Sequence, residues 1–169
     1  MFNVRMNPMA INKHDTLTNT GAGCVSAAIH YAKNRLLSIS ELKDPTTKPW
    51  TMDDIAASLV DNGVAFTPVS VDTLPCIITD KANDVCVIAQ IPDACLTGLI
   101  ERKWIGSYIA YLTRPKTTTV IIVGGNPAKD TLEILSPLAE SGVTITIPLS
   151  CLLEDRFIYM PTMLHIQIQ

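Results

Sequence analysis

The sequence predicts an α+β fold in which N-terminal helices pack on a mainly antiparallel C-terminal sheet. Three observations carry this. Apolar residues recur at helical spacing up to Gly63. From Val64 the period shortens towards that of strands, in runs bounded by glycine and proline. Helices therefore come first and strands mostly after, a segregation that argues against an alternating parallel α/β sheet. The 169 residues suffice for one domain with a real core, spanning 1–169, with 1–19 as an irregular N-terminal arm.

The first helix is expected from about Gly23 to Leu37, because Val25, Ala28, Ile29, Ala32 and Leu36 share a face. Asp44 to Pro49 reads as a loop by its prolines. A second helix begins after Thr51, a candidate N-cap with Asp54 three residues on in a capping-box position. Ile55, Leu59 and Val60 form its apolar stripe, and Asn62-Gly63 stops it. Strands are expected at Val64–Val71, Val85–Ile91, Ser107–Thr113, Thr118–Val123, Val143–Ile147 and Phe157–Ile168. Short helices are expected from Asp93 to about Trp104 and from Asp130 to Leu138.

Charged residues make up 17% of the chain, against about 25% in ordinary domains. Such a surface fits a protein partner or a homo-oligomer. The net charge is −3 and no basic block is present, which disfavours nucleic acid as a partner. No run of residues is long and apolar enough for a membrane span, and the N-terminus lacks the apolar segment of a secretory signal. The five cysteines (24, 76, 86, 95 and 151) show no paired spacing and do not cluster with the three histidines. No metal or other cofactor is therefore expected, and the setting is expected to be cytoplasmic and reducing, without a structural disulfide.

The segment most suggestive of chemistry is Gly21-Ala22-Gly23-Cys24-Val25-Ser26-Ala27-Ala28. If the glycines form a turn, Cys24 falls in the first turn of the helix. There, unpaired N–H groups and the positive end of the dipole favour a thiolate. The same pattern also fits a glycine turn into a helix whose cysteine faces the core. The second such feature is Val123-Gly124-Gly125-Asn126-Pro127-Ala128-Lys129-Asp130, either an anion cradle or a tight turn.

The Cys24 segment resembles the nucleophile segment of the papain-like cysteine peptidase superfamily. Val85 to Ile91 followed by Tyr108 to Leu112 looks like the strand pair that follows in that family. The resemblance implies a papain-like architecture and a thiol protease or deubiquitinase-like hydrolase, with Cys24 as nucleophile. The position matching the family's histidine lies near Ser107-Tyr108 and holds none. His30 lies six residues along the helix from Cys24, about 120° around and about 9 Å along the axis. His14 precedes Cys24, the wrong order for the family. His165 remains as the base. The ovarian-tumour-type deubiquitinases also carry a late histidine, and Gly124-Gly125 with Glu133 is similar to their Gly-Gly segment before an acidic helix. Their Asp-Gly-Asn-Cys signature is absent. These departures leave two expectations. One is a papain-like cysteine hydrolase, or a degenerate member of that fold. The other is a non-catalytic structural or interaction protein, such as a viral or assembly component.

Overall fold

The structure is a computed structural model that describes residues 20–35, 37, 42, 50–80, 85–92, 117–136, 144–153 and 163–168. Helix α1 (Thr20–Lys33) is followed by α2 (Met52–Asp61), β1 (Phe66–Val69), α3 (Leu74–Asp80), β2 (Val87–Pro92) and β3 (Thr117–Asn126). A 3-10 turn (Pro127–Lys129) leads to β4 (Thr131–Leu135), β5 (Ile145–Pro148), α4 (Ser150–Leu153) and β6 (Met163–Ile166). The six strands form one sheet in the order β1-β6-β2-β3-β4-β5. Every pairing is antiparallel. The fold is α+β, as the change of period predicts.

Helices cover both faces of this sheet. On one face Ile88, Ile121, Val123, Leu135, Leu164 and Ile166 pack with α1 and α2 through Val25, Ile29, Ile55 and Leu59. On the other, Val87, Ala89, Ile91, Val120, Ile122, Leu132, Ile134 and Met163 pack with Leu74 and Ile78 of α3 and Leu152 of α4. Successive side chains of a strand point to opposite faces. A strand buried on both sides therefore reads as an unbroken apolar run, as in Val120-Ile121-Ile122-Val123.

Helix α2 starts as its capping box predicts. Thr51 Oγ1 accepts from the Asp54 N–H at 3.2 Å, and Asp54 Oδ2 accepts from the Thr51 N–H at 2.9 Å. Helix α1 starts earlier than the glycines suggest and stops at Asn34, whose left-handed φ of 54° cannot continue the helix. A Cβ at Gly21 would stand 3.0 Å from Trp50 Cβ and 3.3 Å from Ile55 Cδ1. This glycine lets the segment leading into α2 press against the helix; it does not make a turn.

Two further expectations are corrected. Residues 131–135 are strand β4, not part of a helix starting at Asp130. Asp130 has a left-handed φ of 56° and ends the 3-10 turn, and Leu132 and Ile134 then alternate into the core. The chain is also not free of bridges: Cys151 is disulfide-bonded, to a partner outside the described residues, while Cys24, Cys76 and Cys86 are free thiols. The expected helix after Asp93 and the expected strand from Ser107 to Thr113 lie outside the described residues, as do residues 1–19. Among the described residues no helix is long and apolar enough to cross a membrane.

Candidate functional site

Cys24 is the fifth residue of α1, one full turn beyond its start. Its N–H therefore falls within reach of an intrahelical carbonyl, and the unpaired donors at the helix start lie behind it. The side chain is fully buried in the cluster between α1, α2 and the sheet. Sγ donates to the Thr119 carbonyl oxygen of β3 at 3.4 Å, a weak bond for a thiol. Burial pushes the thiol well above its ordinary value, and the neighbouring Cys86 adds to the shift. A nucleophilic cysteine needs the opposite environment, one that favours the thiolate and admits substrate.

His165 lies in β6 between Thr67 of β1 and Val87 of β2. Its neighbours Leu164 and Ile166 belong to the cluster that holds Cys24, whereas Met163, two residues away, belongs to the cluster on the other face. Strand alternation places His165 on the Met163 face. The sheet backbone thus separates Cys24 from His165, and the flanking strands close the way round. The structure does not bring the two together into the nitrogen–sulfur contact that a dyad requires. His165 instead sits beside Gln167, with Nδ1 and Nε2 3.5 Å apart, and Gln167 reaches Thr67 Oγ1 at 3.3 Å.

The Gly-Gly segment is part of the β3–β4 hairpin. Gly125 has a φ of 149°, and a Cβ there would clash with the Thr131 carbonyl oxygen. Asn126 Oδ1 accepts from the Ala128 N–H, and the Asp130 N–H donates to the Pro127 oxygen. These turn amides are committed inside the protein and are not aimed at an anion. Glu133, expected on an acidic helix, lies on β4, where both carboxylate oxygens accept from the Thr146 hydroxyl. Among the described residues no group of three or more His, Cys, Asp or Glu side chains could hold a metal ion.

Trp50, just ahead of α2, is buried in the core between α1, α2 and the sheet. Its backbone oxygen accepts from Gln90 Nε2 at 2.9 Å, tying the α2 approach to β2. The Gly21–Trp50 contact is invisible in spacing, because it joins segments 29 residues apart only after folding. Compared with known protein families and with curated proteins, the chain matches none.

Proposed function

We propose that this protein is a non-catalytic structural or interaction protein, working as part of an assembly. The observation that carries the proposal is the position of Cys24. It is buried, raised in pKa and on the sheet face away from His165. A helix studded with glycine, alanine and cysteine serves close packing here, since small side chains let α1 approach both β3 and α2. The sparse charge of the whole chain supports a surface that meets other protein. The competing proposal is a papain-like cysteine hydrolase, for which the Gly23-Cys24-Val25 segment is the support.

Alkylation of the native protein at mildly acidic pH separates the two, with modified residues located by mass spectrometry. The interaction reading expects the exposed Cys76 to react first and Cys24 to react only on unfolding. Selective, rapid modification of Cys24 in the folded protein would overturn the interaction reading and support the hydrolase instead.

A further inference from the structure

We propose that Pro68 and Pro148 close the two edges of the sheet to strand addition, so that it does not template pairing with a second copy of this chain. Strands β1 and β5 end the sheet, and among the described residues each has a ladder neighbour on one side only. Such an edge offers free N–H and C=O groups to any extended segment.

The ladder shows which groups point outward. The Gln167 N–H donates to the Ala65 oxygen at 2.9 Å. Residues of an antiparallel strand alternate between bonding their neighbour and pointing away. Ala65, Thr67 and Val69 thus face β6, and Phe66 and Pro68 face outward. On the other edge the Leu149 N–H donates to the Asp130 oxygen at 3.2 Å. Ile145, Ile147 and Leu149 then face β4, and Thr146 and Pro148 face outward.

Each edge strand has four residues, two of them outward, and one of those two is proline. Each edge therefore keeps a single outward donor, on Phe66 or Thr146. A proline one position along would remove a bond from the native ladder, whereas these remove only bonds that a newcomer would make. Both prolines are exposed. At β5 the Glu133 carboxylate, held by Thr146 at 2.9 and 3.0 Å, adds a charge beside the edge. This inference goes beyond the proposed function: an assembly partner would have to dock on something other than a sheet edge.

The test compares the full-length wild type with Pro68→Thr, Pro148→Thr and the double variant by sedimentation over a concentration series. Threonine restores the donor and suits a strand. The double variant is expected to form larger species at concentrations about tenfold or more below any at which the wild type does so. Hydrogen exchange should show the Phe66 and Thr146 amides gaining protection in those species. Folded variants that sediment as the wild type does, or that associate without protecting those amides, would overturn the proposal. Wild-type exchange decides independently of whether the variants fold. Phe66 and Thr146 should exchange faster than Thr67 and Ile147, and equal protection would mean that the edges are already paired.

Discussion

The thiol of Cys24 in α1 donates to the carbonyl oxygen of Thr119 in β3, 95 residues further along the chain. It joins the first helix to a strand of the sheet from inside the core. Replacing Cys24 with Ala removes the sulfur from a fully buried site and is expected to cost about 1 kcal/mol. Urea unfolding measures this. Unchanged stability would mean that the site collapses around the smaller side chain without loss.

The buried thiols make stability depend on pH in the alkaline range. Cys24 and Cys86 are both raised above the ordinary value of 9.0, chiefly by burial. The unfolded chain then releases these protons at a lower pH than the folded one. Their contribution is complete below about pH 8 and falls as pH rises through the unfolded value towards the folded ones. The expected slope is about 1.4 kcal/mol per pH unit per thiol. Comparing Cys86→Ala with the wild type across that range should remove one thiol's share of the slope, whatever the variant's stability at neutral pH.

Gly125 should tolerate no side chain. Its φ of 149° is essentially restricted to glycine, and the Thr131 oxygen occupies the place of a Cβ. Gly125→Ala is expected to destabilise by about 2–4 kcal/mol, read as a fall in melting temperature. Tolerance would mean that the hairpin can shift its register past the bulge between Ile122 and Gly124.

Asp130 joins the β3–β4 hairpin to α4. Its carboxylate accepts from the Ser150 N–H at 2.6 Å and from Ser150 Oγ at 2.7 Å. Asp130→Ala loses both bonds and keeps the left-handed backbone, at an expected cost of about 1–2 kcal/mol. Asp130→Asn keeps one acceptor oxygen and tolerates that conformation, so it should cost less. The ranking can be read from denaturant midpoints, and equal losses would show that the charge itself carries the effect.

Elements with strong local signals were legible in the sequence. Thr51 and Asp54 bond each other's backbone within one turn, so their spacing alone announces the start of α2. The apolar runs of β2 and β3 announced strands. The sequence predicts a helix from Asp130 to Leu138, where residues 131–135 instead form β4. The left-handed φ of Asp130 and its bonds to Ser150, 20 residues on, cannot be seen in local spacing. The start of α1 was displaced for a related reason. Glycine suggests a turn unless a distant residue needs its missing side chain, and at Gly21 Trp50 does.

The order of residues by itself determined the class of the fold, the positions of the main strands and the capped start of α2. All of these follow from interactions within a few residues or from the alternation of apolar positions. Tertiary structure decided the environment of each candidate site residue. Whether a thiol faces solvent or core depends on which elements cover its helix, and here β3 and α2 bury Cys24. The face on which His165 points depends on register: shifting β6 by one residue would turn His165 to the other face. The bonding of Cys151 likewise depends on the approach of a sulfur from elsewhere in the chain, a through-space proximity that cysteine spacing does not encode.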